Sequence, residues 1–379
     1  SISVQLVADC GVGVGVGQAY PSPSCETGLI AVFHCLVAQL ACRFQKGILS
    51  MSKFNSGVLL TALAIILYFG INAVQANPDS WRYEWPRTDF NKHSVKYDEI
   101  MSGGPPKDGI PSIDKPKFEP VSNHKDLGEN EPVIGLIING KARAYPLRVL
   151  IWHEIVNDTF EGVPIAVTYC PLCNSSIVFD RRLDGKVLEF GTTGKLRNSD
   201  MVMYDRQTDS WWQQFLGEGI VGVMTGKQLK TIPARLESFA NFKKRAPMGA
   251  KVLVPTFSVF RAYGRNPYAY YDTAAMPFLY QGEMPKGIKP MVRVIAVGNS
   301  AWSMPLLVKK GRIEAGDLVL SWEKGQNSAL DSREIAKGRD VGNVVVRRKV
   351  AGKLEDVPYD VTFAFVFHAF KPKGTLHIN

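Results

Sequence analysis

The chain has 379 residues, 45 of them Lys or Arg against 35 Asp or Glu, and a formal net charge of +10. The basic residues are scattered in short runs such as Lys243-Lys244-Arg245 and Arg347-Arg348-Lys349. They form no aromatic-interleaved stripe, which argues against nucleic acid as a partner and fits solubility or attraction to anionic envelope surfaces.

Residues 1–50 hold four of the six cysteines (Cys10, Cys25, Cys35 and Cys42) and a Gly-Val repeat over 11–17, and nothing in them continues later. They are read as an upstream artefact outside the protein. At Met51 a different logic starts: Lys53 supplies a positive charge, 58–69 is an apolar run, and Val74-Gln75-Ala76 offers small residues for cleavage. This is the pattern of a secretory signal peptide over 51–76, and its apolar run is short for a membrane span of ~20 residues. The expected location is periplasmic or extracellular, with membrane contact only through the signal peptide or an uncleaved anchor. An oxidising compartment lets two thiols pair unless a metal or a reductant holds them.

From 77 to 130 the chain is rich in Pro, Gly, Asp and Lys, and an extended arm wrapping the surface is expected. A first half, 131–290, opens with the apolar run 133–138 and the turn Asn139-Gly140, a strong hairpin signal. Pro146 suits the first turn of a helix running towards Glu154. Val163 to Tyr169 and Ser176 to Arg181 read as paired strands by β-branched and aromatic content. Between them lies Cys170-Pro171-Leu172-Cys173-Asn174, with the only two cysteines after residue 76. A redox Cys-x-x-Cys usually opens a helix, whose N-terminus lowers the thiol pKa. Here the following segment is extended, so the motif resembles a metal knuckle, and Asn174 tolerates the left-handed backbone such a turn needs.

A second, cysteine-free half spans 291–379. Val292 to Pro305 parallels Val133 to Pro146, and 317–329 parallels 164–176, placing Cys170 on Glu323, Cys173 on Gln326 and Asn174-Ser175 on Asn327-Ser328. If the copies share a scaffold, that scaffold needs neither the thiols nor His153, which lies among the extra residues of the first copy. The expected fold is mainly β with short helices, built as two related halves from an internal repeat.

Three readings of Cys170 and Cys173 stay open on spacing alone: a metal site, a redox pair, or a static disulfide closing the turn. A structural zinc site takes four ligands, so His153 is the first candidate for a third, with Glu154 and the methionines Met201 and Met203 behind it. His153 could equally be a general base or a histidine at a helix C-terminus. Two thiolates with a His or Met suit a soft ion, copper or zinc. Asn198, Ser199 and Asp200 could shape a polar pocket beside the thiols, with Tyr169 and Asn174 in support. Asp180-Arg181 and Asp205-Arg206 close strand-like runs, where turn and ion-pair chemistry is commoner than catalysis. Trp211 and Trp212 suit a core on one side of a strand and a pocket wall on the other. No phosphate loop, dinucleotide fingerprint, Ser-His-Asp arrangement or His-Glu-x-x-His helix supports a common enzyme class.

Taken in order, Tyr145-Pro-Leu-Arg148, His153-Glu-Ile-Val-Asn-Asp158, Tyr169-Cys-Pro-Leu-Cys-Asn-Ser175, Val178-Phe-Asp-Arg181, Arg197-Asn-Ser-Asp200, Met203-Tyr-Asp-Arg206, Trp211-Trp-Gln213 and Tyr263-Gly-Arg-Asn-Pro-Tyr268 resemble one family. It is the group of exported bacterial and archaeal proteins catalogued as domain of unknown function 3179, matched from about 131 to about 370. The resemblance implies export and no assigned reaction. Where members have an aromatic-rich closing strand, this chain has Val366-Phe367-His368. The function expected is binding of copper or zinc through the Cys-Pro-Leu-Cys turn. The alternatives are a periplasmic thiol-disulfide oxidoreductase with a redox partner protein, and a non-enzymatic interaction module with a structural disulfide.

Overall fold

The computed structural model describes residues 78–255 and 261–379. The upstream segment 1–50 and the signal peptide 51–76 lie outside the described residues. Among those described, no helix is long and apolar enough to cross a membrane.

The arm supplies a short helix, α1 (Pro78–Arg82), and two edge strands, β1 (Ile100–Ser102) and β2 (Lys117–Pro120). Next come the hairpin β3 (Pro132–Ile138) and β4 (Lys141–Pro146), one turn of helix, α2 (Leu147–Leu150), and the meander β5 (Ile155–Phe160), β6 (Val163–Cys170) and β7 (Ser175–Asp180). A small hairpin, β8 (Arg182–Leu183) and β9 (Lys186–Val187), leads into β10 (Phe190–Arg197), β11 (Asp200–Asp205), β12 (Trp211–Gln213) and β13 (Glu218–Val221). The chain returns through β14 (Lys230–Ile232), β15 (Arg235–Ser238), α3 (Phe239–Arg245) and β16 (Lys251–Val254).

After a linker come β17 (Arg293–Val297), β18 (Ser300–Ser303), α4 (Met304–Lys310), β19 (Arg312–Ala315) and β20 (Leu318–Glu323). The chain ends in β21 (Asn343–Val350), β22 (Lys353–Asp356), β23 (Asp360–Phe363), α5 (Ala364–Phe370) and β24 (Thr375–His377).

These strands form five sheets of four or five strands in a propeller-like arrangement, plus the small β8-β9 pair. The fold is β-rich with a few short helices. Two-residue turns set several registers. Asn139 and Gly140 both have positive φ (49° and 73°), as do Glu161 and Gly162, which is the turn whose twist matches paired strands.

The strand order β14-β7-β6-β5 has the same connectivity as β22-β21-β20-β19, and β15-β3-β4-β16 the same as β23-β17-β18-β24. Both outer pairs β16-β4 and β24-β18 are parallel. The remaining sheet, β1-β10-β11-β12-β13, is built between β7 and β14 and has no counterpart between β21 and β22.

Four expectations change. The arm does more than cover a surface: β1 and β2 each pair into a sheet, and Trp85 is fully buried against Tyr204 and Trp211. Burying so large a ring outweighs the turn-rich composition around it. The helix after Pro146 ends at Leu150, and the closing segment with Phe367 and His368 is helix α5 rather than a strand. Asn327 and Ser328 do not begin the strand paired with β20, as Ser175 does with β6. They lie in the connection 324–342, and Asn343 is the residue opposite Glu323.

Candidate metal centre

Cys170 ends β6, and the turn Pro171 to Asn174 leads directly into β7, with Cys170 paired to Ser175. Cys173 N–H donates to the Cys170 carbonyl at 3.2 Å and Asn174 N–H to that of Pro171 at 3.1 Å. Asn174 sits at φ 49°, the left-handed conformation expected of it. No helix follows Cys173, so no helix N-terminus is there to stabilise a thiolate.

Strand β23 clamps the turn from the other side. Asn174 Nδ2 donates to the Val361 carbonyl at 2.7 Å, Thr362 Oγ1 to that of Cys173 at 2.8 Å, and Ser176 N–H to Asp360 Oδ1 at 2.9 Å.

The inserted sheet closes the site. The β10-β11 hairpin turns through Asn198 and Ser199, both at positive φ (51° and 66°), which delivers Ser199 and Asp200 to the thiols. The Ser199 carbonyl lies 3.6 Å from Cys173 Sγ and 3.9 Å from Cys170 Sγ. The two Sγ atoms and a carboxylate oxygen of Asp200 all lie within 4.8 Å of one another, and all three residues are buried. Asp200 Oδ2 accepts from Gln213 Nε2 at 2.6 Å and Phe215 N–H at 2.9 Å. Oδ1 receives no N–H or O–H donor, leaving the thiols as its polar neighbours.

Residues 107–374 match the family described as "Protein of unknown function (DUF3179)". The chain belongs to that family. No curated protein and no solved structure matches it.

Burial dominates the electrostatics of this DUF3179 site. It pushes the Cys170 thiol up and the Cys173 thiol well up, Cys173 also feeling its neighbour. It raises Asp200 to about 6 against the donors from Phe215 and Gln213, and Asp360 to about 7. Glu154 rises to about 8, first from burial and then from Asp200. Burial therefore disfavours the charged forms, and a bound divalent ion would offset that with its own charge.

Glu154 stands at φ 58°, a strained conformation for a non-glycine residue, held by its N–H on Leu150 O and its carbonyl on Tyr169 N–H. With Leu172, Met201 and Tyr268 it lines a small cavity of about 70 Å³ beside the turn.

His153, expected as the third ligand, is not in this group. Its Nδ1 lies 2.8 Å from the Pro111 carbonyl, which can only accept, and its Nε2 lies 2.7 Å from Tyr263 Oη. Burial lowers its pKa, so the neutral ring donates through Nδ1 and accepts at Nε2. The arm's Pro111 and the linker's Tyr263 thus claim both nitrogens, and the carboxylate beside the two thiols is that of Asp200.

Tyr169 is buried, its Oη 3.5 Å from Asn174 Oδ1, at the limit of a hydrogen bond. Both cysteines are free, so the static disulfide is not formed. Asp180 is bound by Arg182, which holds its carboxyl below the ordinary value, and Arg181 donates to the carbonyls of Leu188 and Asp158. Asp205 ties down Thr208 and Trp212, and Arg206 reaches Asp108 and Ser112. These four are braces away from the thiols. Trp211 and Trp212 are both fully buried.

Asp360 and Thr362 were invisible in the sequence, since residues nearly two hundred positions away carry no local signal. Burial pushes the hydroxyl of Tyr271 in the linker up, and the charge of Cys173 adds to the rise.

Proposed function

We propose that this DUF3179 protein holds a soft transition-metal ion on Cys170, Cys173 and Asp200, zinc before copper. The observation behind this reading is the buried trio of ligand atoms within 4.8 Å. An oxygen donor in place of the expected imidazole moves the preference towards zinc, because Cu(I) selects sulfur and carboxylate suits harder ions. Three protein ligands resemble the set of a zinc site that keeps one position open, where the ion can act as a Lewis acid or carry a water. Asp200 Oδ1, otherwise unpartnered, fits that role.

The same reading includes two related halves. Matching strand orders favour an internal repeat, and the sheet inserted only in the first copy is what carries Asp200 to the thiols. Export to the periplasm through 51–76 is the other part of the proposal, resting on the sequence pattern alone. The thiol-disulfide alternative is weaker, because buried thiols with raised pKa are poor nucleophiles.

The test is metal analysis of the purified protein, followed by cobalt substitution of the stripped form. One equivalent of metal, with a sulfur-to-cobalt absorption band lost in Cys170→Ser and weakened in Asp200→Asn, is expected. Metal-free protein that takes up neither zinc nor cobalt overturns the reading.

A further inference from the structure

A second site lies away from the thiols. Between α4, the start of β17 and the end of β20 is a cavity of about 800 Å³, within the size range of small-molecule sites. Neither cysteine lines it, so it stands apart from the metal reading.

Its three cations are not equally paired. Arg293, Arg339 and Lys289 line the cavity against two carboxylates, Asp272 and Asp340. Asp272 is shared: Arg293 Nη2 lies 3.1 Å from its Oδ2 and Arg339 Nη1 3.0 Å from its Oδ1. Asp340 spends its carboxylate on the backbone N–H groups of Gly325, Gln326 and Gly342. Lys289 makes no ion pair with any described residue, and the buried Arg293 has an Nε without an acceptor. Arg339 is also held by Asp331, its Nη1 3.0 Å from Oδ1, so of the three lining cations only Lys289 is left without a carboxylate.

The rest of the lining is apolar, including Met291, Met304, Pro305 and Val308. Trp322 forms one wall, held by Nε1–H donating to the Val341 carbonyl at 3.1 Å. That wall needs Gly342: a Cβ there would sit 2.0 Å from Trp322 Nε1, and its φ is 75°. An aromatic wall, aliphatic side chains, an unpaired lysine and the open Nε of Arg293 suit one ligand chemistry, an anionic head on an apolar body.

We infer that this cavity binds a small amphipathic carboxylate, its head towards Lys289 and its apolar part along Met304, Val308 and Trp322. Calorimetric titration of the purified protein with sodium octanoate, with 1-octanol as the neutral control, tests this. Saturable one-site binding of octanoate is expected, with octanol at least about tenfold weaker. Lys289→Gln should weaken octanoate by about three- to tenfold and leave octanol unchanged, since it removes only the charge. Val308→Asp, at a position 42% exposed and so tolerant of substitution, should weaken octanoate more by placing a like charge at the mouth. Absence of saturable octanoate binding, equal binding of octanol, or binding indifferent to both substitutions overturns the inference.

Discussion

Asn174 Nδ2 donates to the Val361 carbonyl at 2.7 Å, fastening the thiol turn to a strand 187 residues further along the chain. One side chain thus does two jobs, adopting the left-handed backbone of the turn and docking the turn on β23. Asn174→Gly keeps the first job and loses the second, whereas Asn174→Ala loses both. The glycine variant should lose about 1–3 kcal/mol by leaving a buried carbonyl unpaired. The alanine variant should lose roughly 1–2 kcal/mol more through its Cβ at positive φ. Urea titration of the metal-free protein measures both, and equal losses would mean the turn backbone relaxes freely.

His153 and Asp200 should separate stability from metal binding. His153→Ala removes the partner of the Pro111 carbonyl and of Tyr263, costing about 1–3 kcal/mol in the metal-free protein. Its metal stoichiometry should stay at the native value. Asp200→Asn should do the reverse, cutting zinc affinity at least about tenfold, a change of roughly 1.4 kcal/mol. If His153→Ala abolishes metal binding while Asp200→Asn leaves it intact, the ligand assignment fails.

Glu154 gives a pH dependence. Its carboxyl lies near 8 in the fold against an ordinary value of 4.5, because burial and Asp200 disfavour its charge. Between those values the folded state binds a proton that the unfolded state has released, so stability falls as pH rises from about 4.5 towards 8. Asp200 and Asp360, near 6 and 7, act in the same direction. Denaturation midpoints of the metal-free protein should drop across this window, and Glu154→Gln should flatten the drop above pH 6. An unchanged slope in that variant would place the titration elsewhere.

Both thiols are buried and protonated at neutral pH in the metal-free fold. Reaction with a disulfide reagent such as dithionitrobenzoate should be at least about a hundredfold slower in native than in urea-unfolded protein, since only exposed thiolate reacts. Fast native reaction at pH 7 would revive the redox reading.

Trp85 tests the arm. Its ring is fully buried, edge-on to Tyr204 and Trp211 at 4.8 and 5.3 Å. Trp85→Ala should cost about 3–5 kcal/mol, the range for emptying a large core site. A loss below about 1 kcal/mol, typical of a surface change, would show that the arm only decorates the surface.

The sequence alone determined the elements whose cause is local. Asn139-Gly140 made a hairpin because both residues accept positive φ. The β-branched runs on either side of Cys170-Pro-Leu-Cys173 made paired strands, and Asn174 made a knuckle turn rather than a helix start. The parallel between Val133–Pro146 and Val292–Pro305 was legible because both hairpins keep the same spacing.

Only the tertiary structure decided what completes the site. His153 and Asp200 are equally plausible ligands by type, but Pro111 and Tyr263 occupy the imidazole, while a two-residue turn swings Asp200 to the thiols. Trp85 looked like part of a loose arm because its burial depends on Trp211, 126 positions away. Chain proximity fixes turns and strands through a few dihedral angles. The place of Asp200 beside the thiols, the β23 clamp and the lining of the large cavity come from packing between distant segments, and their energy exists only once those segments meet.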